Sequence, residues 1–185
     1  MSRAGLRRDR RGAAALEFAL LAPLLLALWV GAAETTRLLL AASKAAGAAQ
    51  TVADLAAQAR CLAEGDLADY RTAAALVMRP FPLGDGTRLA LANVVFDPAG
   101  EPSLSAALGG WRRTLSGAPF PDSDFLAAAR GLGEAGSGVV VARLRYTHPA
   151  GSGPFSALRA AVPADQTAVL RPRRQRLVPL MAACP

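Results

Sequence analysis

The chain has 185 residues, with 21 basic and 14 acidic side chains and a formal net charge of +7. Residues 1–12 carry five of the arginines and one of the acids, so the remainder holds 16 basic and 13 acidic residues, a surplus of three. A surplus that small, with no aromatics interleaved among the cations, argues against a nucleic-acid surface, and the remaining length suits one modest domain beyond a membrane segment.

Arg3, Arg7, Arg8, Arg10 and Arg11 stand before an apolar run from Ala13 to Ala33. At ~1.5 Å per residue that run is about 31 Å long as a helix, the thickness of a bilayer's hydrocarbon core. The arginines lie on one side of it and Glu34 follows on the other, so the positive-inside rule puts the N-terminus in the cytoplasm and the rest of the chain outside. Pro23 removes one backbone donor and is expected to bend this helix, although membrane helices tolerate proline well.

Glu17 is the one acid inside the apolar run. A carboxylate there costs about 2.5–3.5 kcal/mol on insertion scales, and such residues usually have a partner. If a peptidase cut after Gly12, the new Ala13 amine, with an ordinary pKa of about 7.7–8, would carry positive charge near neutral pH. One helical turn separates Ala13 from Glu17, so a small axial stagger between neighbouring helices would pair one chain's amine with the next chain's acid. Snorkelling of Glu17 toward the headgroups is the alternative.

The basic leader, Gly12, Glu17 five residues after it, Phe18 six after it and a Pro-containing Leu-rich helix resemble the prepilin-peptidase site of class III signal peptides. More narrowly, the stretch from Arg11 to Leu26 looks like the start of TadE/TadG-like proteins, pseudopilins of tight-adherence (Flp) pilus systems. Glu34-Thr35-Thr36-Arg37-Leu38-Leu39 fits the family's pattern just beyond the membrane, and Arg171-Pro172-Arg173-Arg174 extends the likeness weakly to the C-terminus. The resemblance implies cleavage between Gly12 and Ala13 by a membrane aspartic peptidase on the cytoplasmic face. It also implies an inner-membrane helix, a periplasmic domain, and as partners other Tad pilins or pseudopilins and the inner-membrane assembly platform. A glycine at the cleavage position suits that chemistry, because a missing side chain lets the backbone approach catalytic carboxylates.

Other processing routes fit less well. Gly31-Ala32-Ala33 has the small-residue form of a signal-peptidase site, but the apolar run is longer than the usual 7–15 residues and holds an acid. Arg10-Arg11 lacks the context of a twin-arginine signal. An uncleaved signal anchor stays open. Cys61 and Cys184 fall on the same exported side, where disulfides persist, and a bridge would staple the C-terminal tail to the long helix; two unpaired thiols are the alternative.

Beyond the membrane, Glu34, Arg37, Lys44, Thr51, Asp54 and Gln58 recur at helical spacing, while Leu38, Ala45, Val52, Leu55, Ala59 and Leu62 fill another face. One helix is therefore expected to run to about Arg60, rich in alanines that permit close packing. A second helix is expected over Leu67–Met78, ended by Arg79-Pro80-Phe81-Pro82. The period then changes. Thr87–Phe96 reads as a strand closed by a turn at Asp97–Gly100, and Leu108–Leu115 as its hairpin partner. A loop at Ser116–Ser123, a short helix over Asp124–Leu132 and a loop at Gly131–Gly138 follow. Val139–Tyr146 is the clearest strand, with Arg143 and Arg145 on a wet face. A final strand over Gln166–Leu180 belongs at a sheet edge because of Pro172.

The fold class expected is α+β and pilin-like: a long N-terminal helix packed on a small antiparallel sheet of four strands. The domain boundaries expected are a leader at 1–12, a membrane helix at 13–33, its extension at 34–62 and an α+β domain at 63–185. Catalytic signals are lacking: His148 has no metal-ligand spacing around it, no phosphate loop is present, and Gly136-Ser137-Gly138 reads as a turn rather than a nucleophile elbow. No cofactor or metal is expected. Arg143, Arg145, Arg171, Arg173, Arg174 and Arg176, and Trp111 with Arg112 and Arg113, are either contact surfaces or solvated faces. Two functions fit: a processed minor pseudopilin of a Tad/Flp pilus system, or an uncleaved single-pass scaffold whose outer domain binds another envelope component.

Overall fold

The computed structural model describes residues 12–84, 86–147 and 163–184, and for Ala13 the backbone only. The leader at 1–11 and His148 lie outside the described residues. The chain divides into two units, Met1–Leu39 and Leu40–Pro185. One helix, α1 (Ala13–Gln58), contributes to both and continues through Pro23.

In the first unit α1 is apolar on every side. Leu16, Phe18, Leu20, Leu24, Leu26, Leu28 and Trp29 are all more than half exposed, and at 100° per residue they point around the whole circumference, the pattern of a helix suited to an apolar medium. The polar groups at the end of this unit are answered locally: Thr35 and Thr36 donate to the carbonyls of Gly31 and Ala32 at 2.8 and 2.9 Å, and Arg37 lies 3.7 Å from Glu34. Hydroxyls that bond back one turn leave no unsatisfied donor on the helix surface.

In the second unit the burial of α1 becomes one-sided. Ala41, Ala45, Ala48, Ala49, Val52, Ala53, Ala56 and Ala57 are buried, whereas Leu55, expected on the same face, is exposed. These side chains share a core with Leu89, Leu91, Val140, Ala142 and Leu144 of the sheet, and with Ala74 and Met78 of α2 (Asp66–Met78). Gly47 lies against Val77 of α2, where an added Cβ would meet the valine at 3.5 Å.

The sheet has five antiparallel strands: β2 (Thr87–Phe96), β3 (Pro102–Ser103), β4 (Trp111–Ser116), β5 (Gly138–Thr147) and β6 (Pro163–Leu170). β5 pairs along β2 from Val95↔Gly138 to Thr87↔Tyr146, so β3 and β4 share the other side of β2, at Val95–Phe96 and Leu89–Asn93 respectively. The β2–β3 turn is closed by Asp97, whose Oδ1 accepts from Ala99 and Glu101 at 2.8 and 2.9 Å, with Gly100 at φ 81°, a conformation costly for a residue with a Cβ.

Both faces of the sheet are covered. Ala90, Ala92, Val94, Phe96, Val139 and Val141 pack under Phe120 and under Phe125 and Ala129 of α3 (Asp122–Ala129). The expectation that Arg143 and Arg145 face water is therefore corrected. Arg143 bonds Asp124 at 2.8 Å and Asp165 at 3.1 Å, Arg145 donates through Nε to Asp165 at 2.9 Å, and the guanidinium of Arg88 stacks 4.3 Å above the Phe120 ring. Charges beneath a helix stay ionised only when paired in this way. Burial raises the Asp165 pKa, but hydrogen bonds and charge from Arg143 and Arg145 outweigh it and hold the carboxyl below its usual range.

The expected last strand is also corrected. β6 ends at Leu170, just before the Arg171-Pro172 step, since Pro172 has no N–H to continue a ladder. The tail then leaves the sheet and crosses the end of α1. Arg173 N–H donates to the Ala57 carbonyl at 2.8 Å, satisfying one of the helix's terminal acceptors, and its guanidinium reaches Asp54 at 2.6 Å. Trp111 Nε1 donates to Val178 O at 2.6 Å. Further on, β7 (Leu180–Met181) pairs in parallel with β1 (Leu62–Ala63), and a disulfide joins Cys61 to Cys184, Cα atoms 5.9 Å apart and 123 residues apart in sequence.

Two outcomes are expected from this packing. Cys184→Ser frees the tail end and lowers stability by about 2–4 kcal/mol, the range for a bridge closing a long loop; a chemical melt equal to that of the unchanged protein contradicts this. For Asp165, whose folded pKa lies below its unfolded value of about 3.9, the ion network contributes fully above about pH 4 and is lost as pH falls through the folded pKa. The stability gap between wild type and Asp165→Asn, measured by urea unfolding in detergent, should accordingly narrow below about pH 4.

Candidate functional site

The candidate site is the start of α1, where Gly12 precedes the helix and Glu17 sits among exposed leucines and Phe18. Gly12 has nothing within 4 Å of where a Cβ would stand, and its φ is outside the left-handed region. Among the described residues nothing packs against that position, as is also the case at Gly31, Gly65 and Gly84. This contrasts with Gly133, where a Cβ would lie 1.9 Å from the Phe96 ring, and Gly117, where φ is 69° and the Thr87 carbonyl lies 2.3 Å from the Cβ position. Those glycines are required by the fold.

Glu17 is exposed and, among the described residues, has neither an ion-pair nor a hydrogen-bond partner. It stands in the second turn of α1, beyond the residues whose backbone N–H groups lack intrahelical partners. Phe18 is 67% exposed. Cys61 and Cys184 lie in the other unit and are bonded to each other.

Several residues that stand out in the sequence are engaged inside the fold. Trp111 is buried, Arg112 donates to Phe120 O at 2.7 Å and pairs with Asp122, and Arg113 pairs with Glu64 at 2.8 Å. Trp111 is thus part of the core, while Arg113 stays exposed in its pair with Glu64. Arg171 donates to Leu132 O at 2.9 Å. Ser137 donates to Glu134 O at 2.6 Å and accepts from Glu134 N, which makes its segment a turn.

Shifted titrations lie away from any constellation that could do acid–base work. The Tyr70 hydroxyl is pushed up to about 12 by burial and by the charges of Asp66 and Asp69, and burial raises Tyr146. Among the described residues no group of His, Cys, Asp and Glu could hold a metal ion. Asn93 is a buried polar residue that the sequence reading did not single out. It donates to Gly109 O at 3.1 Å while its Oδ1 has no partner among the described residues.

α1 is long and apolar enough to cross a membrane, and it continues into an α+β unit. Residues 12–54 match the family model described as TadE-like protein. The match starts at Gly12 and covers Glu17 and the rest of the apolar run. No curated protein and no solved structure matches the chain.

Proposed function

We propose that this chain is a minor pseudopilin-like component of a Tad/Flp pilus assembly system, cut by a prepilin peptidase between Gly12 and Ala13 and acting in assembly, priming or adhesion. The observation that carries the reading is the family match, which begins at Gly12 and runs through a helix long and apolar enough to cross a membrane. A peptidase that needs an extended and uncrowded backbone would favour a glycine at that position.

In this reading residues 13–33 hold the protein in the inner membrane, with the leader in the cytoplasm and residues 34–62 and 63–185 in the periplasm. The arginines of the leader set that orientation. Cleavage would create the ammonium at Ala13 that Glu17 lacks in the single chain. Paired across neighbouring subunits in a low-dielectric medium, the two charges would offset the cost of burying each. The apolar circumference of α1 in its first unit then serves first against lipid and later against other helices of the assembly. Partners are the peptidase, other Tad pilins or pseudopilins and the inner-membrane platform.

Expression with and without the prepilin peptidase, followed by N-terminal sequencing, tests the processing step. The mature protein should begin at Ala13 only when the peptidase is present, and Gly12→Asp should abolish the cut. Full-length protein in both strains would instead favour an uncleaved single-pass scaffold that binds another envelope component. Glu17→Ala should leave cleavage largely intact and reduce incorporation into the pilus machinery by about tenfold or more, as expected for loss of an ion pair in hydrocarbon; undiminished incorporation would sink the proposed pairing.

A further inference from the structure

A cleft of about 830 Å3 opens in the second unit between α2, the 79–83 turn and the end of β4. Ala68, Arg71, Ala75 and Arg79 line it from the α2 side. Their spacing of three or four residues makes them one stripe. Thr114 and Leu115 of β4 line it opposite, and Phe81 and Leu83 add apolar surface.

Two observations define what fits there. The first is backbone chemistry: β4 pairs with β2 alone among the described strands, so every other N–H and C=O along its outer side lacks a strand partner. The second is charge. Arg71 and Arg79 are exposed, and among the described residues neither has a carboxylate in ion-pair reach or a side-chain hydrogen bond. The acid beside them, Glu64, is already taken by Arg113 at 2.8 Å. Among the described residues the cleft thus offers positive charge without a paired acid, over an apolar lining and next to a strand edge that no other strand covers. Alanines at 68 and 75 leave the α2 wall low where longer side chains would fill the space.

We propose that this cleft receives an extended, carboxylate-bearing segment of a partner protein, which adds as a strand to the outer edge of β4. Its alternate apolar side chains rest on Phe81, Leu83 and Leu115, and its acids meet Arg71 and Arg79. Strand addition supplies affinity through main-chain hydrogen bonds while the pockets for alternate side chains supply selectivity. A helical ligand would leave the β4 edge unanswered, because its own backbone bonds are internal. The inference concerns residues 64–115 only and is independent of whether the leader is cut.

The test uses the full-length chain in detergent micelles and synthetic peptides of alternating valine and glutamate, with valine–lysine peptides of equal length and alternately N-methylated valine–glutamate peptides beside them. The acidic peptide should bind, and the basic and N-methylated ones should bind at least about tenfold more weakly. In the double variant Arg71→Glu and Arg79→Glu the preference should reverse toward lysine, and Ala75→Trp should abolish binding of both by filling the cleft. Both sets of substitutions fall outside the sealed core, and circular dichroism checks that the fold is kept. Failure of the acidic peptide to bind, equal binding of the N-methylated form, or binding indifferent to the substitutions would each overturn the proposal.

Discussion

Alanines at positions 41, 45, 48, 49, 53, 56 and 57 are buried along one side of α1 in the same core as the sheet. Interiors packed to crystal-like density do not tolerate an added methylene cheaply, so this contact depends on those side chains staying small. The rest of the second unit is arranged around that contact. The sheet's apolar positions at Leu89, Leu91, Val140, Ala142 and Leu144 face it, α2 closes it on one side, and the tail crosses the helix end. A larger residue at any buried alanine would push the helix off the sheet and disturb all of these at once.

The same helix meets a different constraint in its first unit. There each side of α1 carries a large apolar residue, so no face is set aside for water. The two demands explain why the helix changes composition rather than simply continuing: leucine and tryptophan where every direction is apolar, alanine and valine on one stripe with polar residues opposite where one direction is solvent. Glu17 breaks the first pattern. A lone carboxylate at the start of an otherwise hydrocarbon helix is a standing cost, which a neighbour's ammonium would offset.

Charge is handled in the opposite way in the sheet. Arg88, Arg112, Arg143 and Arg145 gather around Phe120 and are answered by Asp122, Asp124, Asp165 or backbone carbonyls. Arg88, Arg143 and Arg145 lie over the Phe120 ring while their N–H groups meet acceptors, a combination that arginine offers and lysine does not. Set against this network, Arg71 and Arg79 have no such partner among the described residues, and their functional interest lies in standing together over an apolar cleft beside an unpaired strand edge.

Much was legible in the sequence because it depends on neighbours along the chain. The long helix, α2, the Thr87–Phe96 strand and the Val139–Tyr146 strand follow from apolar period and from the proline and glycine punctuation between them; the Gly12–Phe18 constellation is likewise a matter of local spacing. What required the tertiary structure was everything decided by partners distant in sequence. Arg143 and Arg145 alternate with apolar residues as solvent-facing side chains would, and only the arrival of α3 and Asp165 converts that alternation into a covered ion network. The end of β6 at Leu170, the crossing of the tail over Ala57 and the open edge of β4 arise in the same way. A strand's hydrogen-bonding need is visible in one segment, but whether a neighbour meets it is settled only when the chain folds back on itself.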